Sequence, residues 1–141
     1  MGFKSAKLHI RGTQSVGGED TVMDFYTDGN VKWEGDQMTI IYPEPEENGL
    51  GNVNTIVKLQ GDTLTMERKE MPGSVLTIQR GKRHVCQYET PVGSFFVGVV
   101  GGEITLNRAG GHTDLFFDYS IDINTSLASR NSIRIVVDEQ S

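Results

Sequence analysis

Residues 115–123 read Leu-Phe-Phe-Asp-Tyr-Ser-Ile-Asp-Ile, an unbroken alternation of apolar and polar character. Leu115, Phe117, Tyr119, Ile121 and Ile123 share one face, and Phe116, Asp118, Ser120 and Asp122 share the other. Successive strand residues point to opposite faces, whereas a helix repeats its apolar stripe every three to four residues, so this stretch is a half-buried β-strand. Gly110-Gly111 stands before it as a turn. Behind it, Ile133, Ile135 and Val137 alternate with Arg134 and Val136 as the last strand. The polar stretch between, residues 124–131, reads as a loop, with room for a short helical turn from Thr125 to Arg130.

The same pattern extends toward the N-terminus. Lys4 to Thr13 reads as a strand with Ala6, Leu8 and Ile10 on its apolar face and His9 on its polar face. Further alternating runs centre on Met23 to Thr27, Val31 to Trp33, Met38 to Tyr42, Val53 to Leu59, Leu64 to Arg68, Leu76 to Ile78, His84 to Thr90, Phe95 to Val99 and Ile104 to Leu106. Asp28-Gly29-Asn30, Gly35-Asp36, Gly61-Asp62, Pro72-Gly73, Arg80-Gly81-Lys82, Pro91-Val92-Gly93 and Gly101-Gly102 separate them and read as turns. Turn signals spaced roughly 8–12 residues apart are the mark of an all-β sandwich or barrel. With no helix to cover a flat sheet, closure is the economical way to remove exposed edges. The expectation is one domain over residues 1–141, a closed antiparallel up-and-down β-barrel of about 8–10 strands, with a two-sheet sandwich as the second choice.

A net charge of −6 and a pI near 5.0 argue against DNA or an anionic membrane as partners, because the long-range field repels phosphates. The single Cys86 makes no internal disulfide, which fits a reducing, cytoplasmic setting. The N-terminus carries no secretory signal pattern, and no apolar run reaches the roughly 20 residues of a membrane-spanning helix.

No catalytic set emerges. His9, His84 and His112 match no metal spacing, and Cys86 on the His84 face reads as a small buried hydrophobe. Glu44, Glu46 and Glu47 fall in an acidic, proline-containing loop, where solvated carboxylates are the simple reading. Arg80, Lys82 and Arg83, with Arg68 and Lys69, form a basic group that reads as a solvated turn. No cofactor is expected, and enzymatic activity is disfavoured. The polar residues on apolar faces are the candidates of interest. Thr55, Tyr88, Thr90 and Tyr119, together with Tyr42, either close the core with hydrogen bonds or anchor a ligand in a barrel cavity. Glu44 and Arg80 are expected at the mouth, selecting charge.

Tyr42-Pro43-Glu44, the run from Gly49 to Lys58, Arg80-Gly81, Tyr88-Glu89-Thr90-Pro91-Val92-Gly93 and Phe117-Asp118-Tyr119 occur in an order that resembles the YwiB-like family of small bacterial proteins. The resemblance implies a lipocalin-like (calycin) barrel and cytoplasmic bacterial residence, and brings no catalytic residues with it. The leading expectation is a non-enzymatic barrel that binds a small, partly apolar ligand. The alternative is a filled barrel whose outer face, with Val22, Tyr26, Phe96 and Phe116, forms a homodimer or protein-interaction surface.

Overall fold

Among the described residues, ten antiparallel strands follow one another, most of them two residues apart: β1 Lys4–Val16, β2 Glu19–Glu34, β3 Gln37–Pro43, β4 Asn54–Gln60, β5 Thr63–Arg68, β6 Leu76–Gln79, β7 Arg83–Thr90, β8 Gly93–Ala109, β9 His112–Ile123 and β10 Ser126–Glu139. The structure, a computed structural model, describes residues 2–45, 53–69, 75–90 and 93–140, and of residues 87–90 the backbone alone. Among the described residues there is no helix, and none is long and apolar enough to cross a membrane.

The strand order is β6-β5-β4-β3-β2-β1-β10-β9-β8-β7, so the first and last strands pair in the middle of the sheet. Its two edges, β6 and β7, are consecutive in the chain. The turn between them brings the edges together: Gly81 N–H donates to Gly101 O at 3.0 Å, and Gly101 N–H donates to Lys82 O at 3.0 Å. The sheet thereby becomes a nearly closed barrel, as the alternation and the spacing of turns lead one to expect.

Two glycine-marked sites that read as turns are not turns. β2 runs straight through Asp28-Gly29-Asn30. A Cβ on Gly29 would stand 2.6 Å from Leu8 Cδ1 and 2.7 Å from Ile41 O, so this glycine permits close approach of three strands. Gly101-Gly102 is a bulge inside β8, where pairing with β9 slips between Gly101 and Ile104. Asp118 Oδ1 accepts the Glu103 N–H at 2.9 Å and so satisfies a bulged amide. The polar segment 124–131 is neither loop nor helix. Asn124 and Thr125 make a tight turn with φ of 50° and 71°, and β10 begins at Ser126. Polar composition conceals this strand because only Ser129 of its first residues is buried. Similarly, β1 continues past Thr13 to Val16. Gly35, Gly61, Gly81 and Gly110 do mark turns, with positive φ. Pro72-Gly73, Pro91-Val92, Glu46 and Glu47 lie outside the described residues.

Up-and-down winding sends the turns alternately to two ends. At the end bearing Gly35-Asp36, Gly61-Asp62 and Gly110-Gly111, the interior is solid. Met38, Leu59, Leu64 and Ile78 make one inward row across β3 to β6, and Thr113, Val137 and Leu8 one across β9, β10 and β1. Trp33 packs against this core, with the Arg108 guanidinium 3.8 Å from its ring centroid. Phe117, fully buried, fills the middle.

Candidate functional site

Toward the other end, the inward rows change character. On one wall, Ile40, Val57 and Met66 give way one row further on to Tyr42, Thr55 and Arg68, paired in register across β3, β4 and β5. On the opposite wall, Phe117, Ile133, Gly12 and Met23 give way to Tyr119, Asn131, Gln14 and Thr21 across β9, β10, β1 and β2. Directly opposite residues in a sheet have Cβ atoms roughly 5 Å apart, so each row forms a continuous polar arc. The two arcs surround a cavity of about 350 Å³. Ile10, Met23, Met66, Leu76, Ile121 and Ile133 supply its apolar wall, and Tyr42, Glu44, Arg68 and Tyr119 its polar end.

Glu44 continues the inward side one step beyond Tyr42. Its N–H donates to Val53 O at 2.8 Å, which extends the β3–β4 pairing past Pro43. Pro43 is tolerated because pairing with β2 has already ended at Ile41, so the missing N–H faces no partner strand. Glu44 is therefore not the solvated loop carboxylate expected from its neighbours. It is only 6% exposed, and Thr55, fully buried, donates its hydroxyl to Glu44 Oε1 at 2.7 Å. Burial raises the Tyr42 phenol well above its ordinary range and the Glu44 charge adds to this, while Arg68 and the Thr55 hydrogen bond pull the other way. Burial likewise pushes Tyr119 up to about 12, opposed by Arg68. Both phenols are thus neutral hydrogen-bonding groups at physiological pH. The Tyr42 ring also meets Phe25 at 6.2 Å, and that of Tyr119 meets Phe117 at 6.2 Å, which helps to fix both rings.

Of the residues singled out from the sequence, the fold gathers Tyr42, Glu44, Thr55 and Tyr119. It does not bring Arg80 to them. Arg80 follows β6 at the filled end, where its N–H donates to Asp62 O at 3.0 Å and its guanidinium to Ile104 O. Strand β5 separates Asp62, just before it, from Arg68 at its far end, so the basic group divides between the two ends of the barrel. Arg68, not Arg80, is the cation at the cavity. Its place was readable from parity with Leu64 and Met66. Tyr88 and Thr90 lie on β7, paired with Phe95 and Gly93, and their side chains are outside the described residues. Sequence reasoning missed Gln14, Thr21 and Asn131, because the strands carrying them run further than their hydrophobic pattern.

Elsewhere the candidates have ordinary partners. His9 stacks on Tyr26 at 4.2 Å and meets Asp24 at 2.6 Å, with Arg11 also on Asp24 at 3.0 Å. His84 Nε2 lies 2.9 Å from Gln79 Oε1, and the Cys86 thiol faces Val97 O at 3.8 Å. No group of three His, Cys, Asp or Glu side chains suited to a metal occurs among the described residues. A second cavity, of about 390 Å³, shares Thr13, Tyr119, Asn131 and Ser132 with the first and is lined further by Ser15, Gly101, Gly102, Asp118, Ser120 and Arg130. On the outer face Val22, Tyr26 and Phe96 are exposed, while Phe116 is half-covered, with Arg134 5.9 Å from its ring.

Comparison with known proteins agrees with this architecture. The crystal structure of ywiB protein from Bacillus subtilis superposes with a TM-score of 0.77 at 17% identity, covering 99% of this chain and 94% of that one. At that identity the likeness concerns the fold. No curated protein matches the chain. Residues 8–135 match the family described as Domain of unknown function (DUF1934). With ten antiparallel strands in a nearly closed barrel and a family match over most of its length, the chain belongs to the DUF1934 family.

Proposed function

We propose that this protein binds a small, partly apolar ligand in the open end of its barrel, without chemistry, in a reducing cytoplasmic setting. One observation carries the reading: the inward lining changes from packed aliphatic to polar where a cavity of about 350 Å³ remains. A few convergent polar groups on an apolar wall are the usual make-up of a small-molecule site. The buried carboxylate accepts a hydrogen bond from a threonine hydroxyl, which suits anchoring.

The test uses phenylnaphthylamine, an uncharged fluorescent apolar probe, followed by fluorescence and thermal shift. At free probe one hundredfold above Kd, stabilisation reaches about 2.7 kcal/mol. Met66→Trp, which fills the cavity from β5, abolishes the response while the protein still melts cooperatively. A response unchanged by Met66→Trp, or no response to this probe and a broad metabolite panel, refutes the proposal.

A second reading rests on Val22, Tyr26 and Phe96, which expose apolar surface on the outer face. It expects a dimer in size-exclusion chromatography with light scattering that Tyr26→Lys and Phe96→Lys dissociate. A monomer at high concentration that captures no partner counts against it.

A further inference from the structure

We infer that the cavity accepts a ligand of zero net charge carrying both a hydrogen-bond donor and an acceptor, an amide, urea or zwitterionic group on an apolar body, and rejects simple carboxylates and other anions. The inference rests on the ligand-binding reading above and names its substrate class.

Two charged side chains line the cavity among the described residues, Glu44 and Arg68. They are of opposite sign and at the same end, Glu44 just past β3 and Arg68 on β5, with Thr55 of the intervening β4 between them in the register Tyr42–Thr55–Arg68 and bonded to Glu44. Among the described residues the lining therefore carries one charge of each sign. The remaining polar residues of the lining are neutral: Tyr42 and Tyr119, Gln14 and Asn131, and Thr13, Thr21 and Ser132. These donate or accept but supply no net charge.

A fatty acid or other anion would bring a second negative charge beside Glu44, which is nearly fully buried and cannot swing into water without leaving its Thr55 bond. Desolvated like charges are costly, and the Arg68 cation already has Glu44 within its field. A simple cation meets the mirror-image problem at Arg68. A ligand that offers an N–H toward Glu44 and an oxygen toward Arg68 adds hydrogen bonds to both without disturbing the balance, and its body lies against Met23, Met66 and Leu76. The pull of Glu44 and Arg68 in opposite directions on the Tyr42 phenol is in keeping with one balanced electrostatic environment.

The experiment compares a matched pair of probes, phenylnaphthylamine and anilinonaphthalene sulfonate, which share a skeleton and differ by one sulfonate. The native protein is expected to bind the uncharged probe at least about tenfold more tightly. Glu44→Gln keeps an acceptor for Thr55 and removes the charge. It is expected to raise the affinity for the sulfonate relative to that for the uncharged probe about tenfold. Should Glu44→Gln fail to fold, Arg68→Met supplies the opposite arm: it lowers the affinity for the sulfonate further relative to that for the uncharged probe. Equal affinity of the native protein for both probes, or a variant that alters both affinities in parallel, overturns the inference while ligand binding stands. If the uncharged probe does not bind the native protein, or binds Met66→Trp as tightly as the native protein, ligand binding itself has failed and this inference falls with it.

Discussion

Replacing Gly101 by alanine should open the barrel. A Cβ at that position would stand 2.2 Å from Gln79 O, 2.6 Å from Gln79 C and 3.0 Å from Gln79 N, all of them backbone atoms of β6. No rotamer change relieves such a contact, so β6 must move away by about 1 Å to reach ordinary van der Waals distance. That displacement acts on the seam. The bonds Gly81 N–H to Gly101 O and Gly101 N–H to Lys82 O, both 3.0 Å, are lost or stretched, at about 1 kcal/mol each. Strain in the packed interior, where Ile78 and Ile104 are buried beside the seam, adds about 1–3 kcal/mol. The expected loss is about 3–5 kcal/mol, or about 10–15 °C in Tm for a domain of this size. Gly102→Ala is the graded control. Its Cβ would meet the Asp118 carboxylate, a side chain that can turn aside at the expense of its bond to the Glu103 N–H, so about 1–2 kcal/mol is expected. Gly12→Ala is the neutral control, with its nearest neighbours at 3.8 and 3.9 Å and an expected change within about 0.5 kcal/mol. Thermal and urea unfolding by circular dichroism measure all three. Should Gly101→Ala melt within a few degrees of Gly12→Ala, the closure of the barrel through Gly101 is wrong.

Three further outcomes are expected. Thr125→Gly should stabilise the protein by about 1 kcal/mol, because a β-branched residue at φ 71° becomes the second half of an Asn-Gly hairpin turn; a lower urea midpoint contradicts the turn geometry. The same Thr→Val exchange should act oppositely at two buried sites: at Thr55 it strips Glu44 of a donor and costs about 1–3 kcal/mol, whereas at Thr113, whose hydroxyl has no hydrogen-bond partner, it is neutral or stabilising. Equal effects at the two positions would contradict the placement of the Glu44 anchor. The phenols of Tyr42 and Tyr119 are raised on folding, so the stability they contribute is full below the ordinary tyrosine value of 10.0 and is lost as pH rises beyond it. Tyr42→Phe with Tyr119→Phe should flatten this alkaline loss in pH-dependent unfolding, and an unchanged profile would contradict the burial of the two rings.

Alternation by itself determined that the chain is all-β, and the tight turns at Gly35, Gly61, Gly81 and Gly110 determined where four of the hairpins reverse. These are local properties: side-chain parity and positive φ are set within a few residues, whatever the rest of the chain does. The same local reading found Tyr42, Thr55 and Tyr119 on inward faces, since parity carries inward or outward direction along a whole strand. Gly29 and Gly101 show its limit. Glycine serves both positive φ and the absence of a Cβ, and only contact with another strand tells the two apart. Glu44 looked solvated among glutamates and prolines, yet one more residue of β3–β4 pairing carries it into the interior beside Thr55. Arg68 and Arg80 belong to one basic group in the chain and to opposite ends of the barrel in space. Which end a residue reaches depends on strand length and stagger across the closed sheet, and these are settled when β1 pairs with β10 and β6 comes against β8. The polar arcs around the cavity are assembled from several strands far apart in the chain, so tertiary structure alone decides that they meet.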